Sequence, residues 1–232
     1  MDNSEEYIKK LENIIKQMLL PLKDIPFNLV IEAMTGKKVL SFDFTKQEHQ
    51  EVLGLLKQSA VNAGKEINKA GILRPRPNEV GNEIEPYVRN ALNSLGLNAD
   101  IPVGQSGRKK ATGYPDIIFW YKNLPYYLEC KTYNIENIAT TQRSFYFSPS
   151  DEFKVIHDTL HFILSYEVYV AGEMGNKHIY KCKHYKILSI ESLSLDVKYE
   201  FNSDNKRMYS GKDGAIVLEE GEVGRTKLVP NQ

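Results

Sequence analysis

The sequence is poor in cysteine and has no long apolar run. Its 232 residues include two cysteines, Cys130 and Cys182, too few for a disulfide framework or a four-cysteine zinc site. We therefore expect a reducing, cytoplasmic location. No apolar run reaches the roughly 18 residues of a membrane helix. The acidic start, Met1 to Glu6, is not followed directly by an apolar stretch, so we expect neither a secretory signal nor membrane association.

Net charge is also absent, because 30 Lys and Arg side chains balance 30 Asp and Glu side chains. This balance argues against a uniformly basic protein that coats nucleic acid without specificity. The charge is uneven, however. Residues 104–143 carry six basic and three acidic side chains. This local positive excess would attract a phosphate polymer.

Hydrophobic periodicity predicts an α/β protein with a central mixed β-sheet flanked by helices. Apolar spacing predicts helices over 4–20, 46–69 and 82–95, and Ser148-Pro149-Ser150-Asp151 predicts the start of another that runs to about residue 164. Strands are predicted over 39–42, 114–121, 125–132, 167–171 and 178–187, with weaker ones near 195–201 and 214–218. Phe27–Met34 is ambiguous, and 71–78 is an extended, proline-rich connector. We expect an N-terminal helical region over 1–70 and a core over 71–232.

The residues that indicate chemistry are Asp116, Glu129 and Lys131. Alternation along a strand places Glu129 and Lys131 on one face and Cys130 on the other. Charged groups in a buried strand are costly unless they are paired or bind an ion. If the two predicted strands pair in register, Asp116 lies near Glu129. Two carboxylates with an open face suit Mg²⁺, which takes one or two protein carboxylates together with water and phosphate oxygens.

Such a site predicts hydrolysis of a phosphodiester. A bound divalent ion stabilises charge on the phosphate and lowers the pKa of an attacking water. Lys131 has three possible roles: it orients the water, accepts its proton, or stabilises the charge of the transition state. No glycine-rich phosphate loop is present, so we expect no nucleotide cofactor.

Pro115-Asp116 followed by Glu129-Cys130-Lys131 resembles the signature of the PD-(D/E)XK nuclease superfamily. In that superfamily the aspartate and glutamate hold the metal and the lysine is catalytic. Segments 74–83, 112–116 and 143–150 resemble type II restriction endonucleases of the NgoPII-type group, and the likeness covers roughly residues 30 to 185. It implies a restriction-endonuclease-like fold.

The same resemblance implies a homodimer that cuts both strands of double-stranded DNA at a short palindrome, with GGCC as the site, and leaves 5′-phosphates. A two-fold site is matched by a two-fold protein. We expect the N-terminal helices to supply part of the dimer contact.

Two helix glutamates are further candidates, because many members of the superfamily use one as an additional ligand for the metal or water. Glu85 is a candidate active-site residue and Glu83 a candidate metal ligand. The alternative for Glu85 is structural, since Asn82 and Glu85 have the spacing of a helix capping box. Both interpretations stay open from the sequence.

Seven side chains are candidate DNA contacts: Arg74, Arg76, Arg108, Lys109, Lys110, Gln142 and Arg143. Arg108, Lys109 and Lys110, which precede the predicted strand that contains Asp116, would touch phosphates and position the duplex. Gln142 and Arg143 are suited to hydrogen bonds with the base edges of adenine and guanine. Arg74 and Arg76, which stand next to prolines, could reach a groove of the DNA duplex. For each of them the alternative is a solvated surface residue.

Other functions are weighed against this one. His157 and His161 stand four apart on a predicted helix, a spacing that zinc accepts, but without a third ligand they are better explained as ordinary helix residues. A repair or recombination nuclease of the same superfamily would act on branched or single-stranded DNA. A catalytically inactive DNA-binding module would keep the fold alone. In a metal-free structural domain the charges would form only an ion-pair cluster.

Overall fold

A computed structural model describes residues 3–20, 22–109, 112–134, 145–150, 152–197 and 216. The chain divides into two units, Lys23–Asp196 and Met1–Leu22 with Val197–Gln232. The first unit holds the sheet and every candidate site residue that the structure describes. None of the helices in the described ranges is both long and apolar enough to cross a membrane.

Helices and short strands alternate up to α4, and five consecutive strands follow in the described residues, so the chain contains both classes of element, as expected for an α/β protein. The helices are α1 (Asn3–Met18), α2 (Phe27–Thr35), α3 (Gln47–Ala70) and α4 (Gly81–Ser94). The strands are β1 (Ile25–Pro26), β2 (Val39–Leu40), β3 (Ile72–Arg74), β4 (Ile117–Tyr121), β5 (Leu124–Tyr133), β6 (Thr159–Met174), β7 (Lys177–Ser189) and β8 (Ser194–Leu195). Helices α2 and α3 belong to the same unit as the sheet.

The main sheet is mixed, which confirms that part of the prediction. Its strand order is β3-β7-β6-β5-β4, and β2 adds to β6. Strand β5 runs parallel to β6, and the other neighbours along this order are antiparallel. The predicted hairpin is β4–β5, whose two-residue turn places Lys122 and Asn123 at φ angles of 49° and 64°. Two positive φ angles are the mark of a type I′ turn, whose twist matches that of paired strands.

Apolar side chains cover the sheet on both faces. Helices α3 and α4 pack on one face, where Leu56, Ile84 and Leu92 join Leu128 and Leu164 in a buried cluster. On the other face a second cluster contains Phe27, Tyr127, Val155 and Ile163. Because successive strand residues alternate, Leu128 and Cys130 face the first cluster, and Tyr127, Glu129 and Lys131 share the second face. Strand β5 is therefore fixed by packing on both of its faces.

The helix predicted from Ser148 to about residue 164 is wrong. Residues 145–150 and 152–158 have no regular structure, and strand β6 begins at Thr159. The Ser150 hydroxyl accepts a hydrogen bond from the backbone N–H of Glu152 at 3.1 Å, so it closes a local turn instead of capping a helix. From Thr159 to Val168 every residue is buried. A strand covered on both faces loses its apolar–polar alternation and is not distinguished from a helix by periodicity.

The capping box of Asn82 and Glu85, the structural alternative for Glu85, does not form. Helix α4 begins at Gly81, one residue earlier than expected, with Val80 before it, and no side-chain cap forms there. The Glu85 side chain bonds to Arg89 on the next turn of the helix. Of the weak strand predicted near 195–201, only the part through Val197 is described, and strand β8 occupies Ser194–Leu195. The weak strand predicted near 214–218 lies almost wholly outside the described residues.

Candidate active site

The β4–β5 hairpin brings Asp116 to Glu129. Ile117 pairs with Leu128, and Ile118 pairs with Tyr127. One further step along this antiparallel ladder places Asp116 opposite Glu129. The Asp116 Oδ2 atom accepts a hydrogen bond of 2.8 Å from the backbone N–H of Cys130. The aspartate is thus tied to the strand that carries the other two candidate residues.

Glu129 and Lys131 point to the same face and form an ion pair. Lys131 Nζ donates to Glu129 Oε1 at 2.6 Å. Glu129 is only 4% exposed. Its second oxygen, Oε2, is buried and accepts no hydrogen bond from the residues that the structure describes. A buried carboxylate oxygen without a donor is costly, so this atom is available to a cation.

Burial perturbs both acids, and the charge of Asp116 adds to the effect on Glu129. Burial, and then the negative charge of Asp116, raises the pKa of Glu129 to about 7. Burial also raises the pKa of Asp116. Burial disfavours the Lys131 ammonium, but the carboxylates of Glu129 and Asp116 outweigh burial and raise the lysine pKa. Lys131 is therefore a cation in this arrangement.

The two helix glutamates have different surroundings. Burial, and then the charge of Asp116, raises the pKa of Glu85, which places Glu85 within electrostatic reach of the acid pair. Its Oε1 atom also accepts a 3.1 Å hydrogen bond from Arg89. Glu83, in contrast, forms an ion pair with Arg74. Its assignment as a metal ligand stays a prediction.

Lys154 is a site residue that the sequence reasoning missed. It is 3% exposed, and its positive charge lowers the pKa values of Glu85, Asp116 and Glu129. No motif contains it, and the wrongly predicted helix would have hidden its position. The indication available in the sequence was a lysine between two apolar residues, Phe153 and Val155.

A single tyrosine holds the Lys154 segment against the active-site strand. The Tyr127 hydroxyl donates to the backbone carbonyl of Lys154 at 3.2 Å and accepts from the N–H of Ile156 at 2.9 Å. Tyr127 lies on β5 two residues before Glu129, so its ring shares the face of the acids. The position of Lys154 is therefore set by the same strand that carries Glu129 and Lys131.

Four of the seven candidate DNA contacts lie in the described residues. Arg76, Arg108 and Lys109 are exposed, and Lys109 pairs with Asp100. Arg74 is engaged by Glu83, as given above. Lys110, Gln142 and Arg143 lie outside the described residues. All seven assignments stay predictions.

The histidines give no metal centre. His157 precedes β6, and His161 lies on that strand, so neither stands on a helix as predicted. His161 Nδ1 is 2.6 Å from the Tyr114 hydroxyl, and burial lowers its pKa to about 3. In the described part of the chain no three His, Cys, Asp or Glu side chains converge on one point. Asp116 and Glu129 remain as a two-carboxylate donor set, which fits an ion that keeps most of its water ligands.

Two comparisons with known proteins match most of the chain. The model of the type II restriction enzyme MjaV family matches residues 20–212, a range that includes every site residue named above. The type II restriction enzyme MjaV of Methanocaldococcus jannaschii is 34% identical over 233 residues, which cover 94% of this chain and 98% of that protein. No solved structure matches.

Proposed function

Since the chain belongs to the type II restriction enzyme MjaV family and is a type II site-specific endonuclease, we propose that it hydrolyses double-stranded DNA with Mg²⁺ at the site formed by Asp116, Glu129 and Lys131. One observation carries the proposal. Two distant acids, one opening β4 and the other buried on β5, are held opposite each other with a lysine on the same face. This arrangement supports assignment to the PD-(D/E)XK superfamily.

The carboxylates of Asp116 and Glu129 would hold the metal. When bound, Mg²⁺ supplies positive charge to the phosphodiester and lowers the pKa of an attacking water. The fit rests on the Oε2 atom of Glu129, which has no hydrogen-bond partner among the described residues, and on the burial and the nearby Asp116 charge that raise the pKa of Glu129 to about 7. A buried pair of carboxylates that destabilise each other gains from a divalent cation.

Lys131 acts as a cation in this proposal. Because neighbouring carboxylates raise its pKa, it donates hydrogen bonds and stabilises negative charge on the phosphate. It would not accept the proton of the attacking water. Of the roles left open by the sequence, stabilisation of the transition state is the one that the geometry favours.

Glu85 and Lys154 complete the site. Glu85 on helix α4 is bonded to Arg89 and lies within electrostatic reach of Asp116, and it would orient water near the acids. Lys154 offsets part of the charge of three carboxylates. This fixed positive charge favours the ionised form of the acids, the form that binds a cation.

The finer features come from the resemblance and from symmetry. Hydrolysis is expected to leave 5′-phosphates at a short palindrome, cut by a homodimer. Helix α1 supports the expected dimer contact, since it exposes Tyr7, Leu11 and Ile14 along one stripe. The GGCC site, implied by the NgoPII-type likeness, stays a prediction of the sequence.

Digestion of plasmid DNA tests the proposal. With Mg²⁺ we expect discrete fragments, whose sequenced ends give the recognised site and the position of the 5′-phosphate. The Asp116→Ala variant should give none, whereas Glu66→Gln, an exposed change on α3, should cut like the wild type. Unchanged cutting by Asp116→Ala would refute the site.

Other digestion results would favour the alternatives. Smearing, or cleavage of branched or single-stranded DNA alone, would favour a repair nuclease. Binding of duplex without cleavage by the wild type would indicate an inactive DNA-binding module. Absence of both binding and cleavage would indicate a structural domain.

A further inference from the structure

The register of three strands places two lysines in one row across the sheet. Lys131 on β5 pairs with Ser165 on β6, and Ser165 pairs with Lys186 on β7. Cross-strand partners point to the same face of a sheet. Lys186 therefore lies on the face that carries Glu129 and Lys131, separated from Lys131 by the small side chain of Ser165.

Lys186 is exposed and positioned by an aromatic ring. Its Nζ lies 5.0 Å from the centre of the Tyr133 ring, much as Lys131 Nζ lies 5.8 Å from the centre of Phe145. Among the residues that the structure describes, no carboxylate forms an ion pair with Lys186. Its charge is therefore available to an external anion.

The distance between the two lysines suits a nucleic-acid backbone. Two strand spacings separate β5 from β7, about 10 Å. One DNA strand advances about 3.4 Å along the helix axis per nucleotide, so two lysines this far apart can contact different phosphates of one strand. The next row on the same face holds Glu167 between Tyr133 and His184. That carboxylate limits the positive surface to the row of Lys131 and Lys186.

We propose that Lys186 binds a backbone phosphate of the duplex near the scissile bond, and not the scissile phosphate itself. The inference rests on the proposed function, because it takes the scissile phosphate to lie at Glu129 and Lys131. An ammonium on a flexible stem is a point charge without the planar fork that reads a base edge. The contact therefore adds affinity and fixes the path of the duplex, with no preference for sequence.

Salt dependence of DNA binding measures such a contact. A short fluorescent duplex is titrated with protein at a series of salt concentrations, without divalent ions. The two proteins compared are the Asp116→Ala variant and the double variant Asp116→Ala/Lys186→Ala. Loss of one phosphate contact should lower the slope of log affinity against log salt by about one. Lys186→Arg should keep the slope.

The matched control is Lys65→Ala, an exposed lysine on α3, which packs on the other face of the sheet. It should leave the slope unchanged. A Lys186→Ala slope equal to that of its parent overturns the inference, and so does an equal loss with Lys65→Ala. Failure of the proposed function is detected by a different experiment, in which the wild type shows no Mg²⁺-dependent cutting of DNA. If Asp116→Ala and wild-type protein both fail to bind duplex, both proposals are wrong.

Discussion

Asp116 and Glu129 face each other across the β4–β5 ladder, and burial together with the charge of Asp116 raises the pKa of Glu129 to about 7. The folded protein thus holds a carboxyl that resists ionisation near neutral pH. Such an energetic cost is characteristic of functional sites, where a ligand relieves it. The relationship leads to predictions for stability as well as for cleavage.

The first prediction concerns stability in the absence of divalent ions. The pKa of Glu129 is raised on folding from its ordinary value of 4.5 to about 7, so the folded state holds the proton more tightly. The stability that protonated Glu129 contributes to the folded state is complete below pH 4.5 and is lost as the pH rises through 7. Glu129→Gln should reduce this loss by on the order of 2 kcal/mol.

Urea denaturation in chelator at pH 5 and pH 8 checks this prediction. The free energy of unfolding of the wild type should fall more between the two pH values than that of Glu129→Gln. Glu66→Gln serves as the control and should behave like the wild type. Parallel pH dependence in the wild type and Glu129→Gln would show that Glu129 does not titrate in this range.

The second prediction concerns Lys154. Its charge lowers the pKa values of Glu85, Asp116 and Glu129, so Lys154→Met should raise all three. The acidic limb of the pH–rate profile for cleavage should move to higher pH, and each unit of movement lowers the rate on that limb roughly tenfold. Lys154→Arg should restore the wild-type limb. A merely structural lysine would change the rate at every pH without moving the limb.

The third prediction concerns the tyrosine that holds the Lys154 segment. Tyr127→Phe removes one hydroxyl that serves both Lys154 and Ile156. Two backbone groups then lose a partner, which should lower the free energy of unfolding by about 1–3 kcal/mol. Denaturant titration measures the loss, with Tyr7→Phe on the exposed face of α1 as the control. Equal stability of Tyr127→Phe and the wild type would mean that water replaces the hydroxyl.

The parts of the site that could be predicted depend on local pattern. Alternation along β5 places Glu129 and Lys131 together, and a two-residue turn fixes the register that brings in Asp116. Both features are written in a continuous stretch of sequence. The mixed sheet follows from the same strands and was expected.

The parts that were missed depend on distant contacts. Lys154 reaches the acids because Tyr127 holds its backbone, a contact between residues 27 positions apart. Strand β6 resembles a helix in sequence because both of its faces are buried. Glu85 has the spacing of a capping residue, but the helix begins at Gly81 and the side chain turns to Arg89. Distant contacts override the local preference for Lys154 and β6, whereas the Glu85–Arg89 bond lies within helix α4 itself.

The most direct test of the central claim is the single-turnover rate of DNA cleavage with Mg²⁺ for Asp116→Asn, Glu129→Gln and the double variant. If both carboxylates hold one cation, each single change should lower the rate by about a thousandfold or more, and the double variant should lose little beyond either of them, since residues that act as a unit are not additive. Wild-type rates in either single variant would contradict the account.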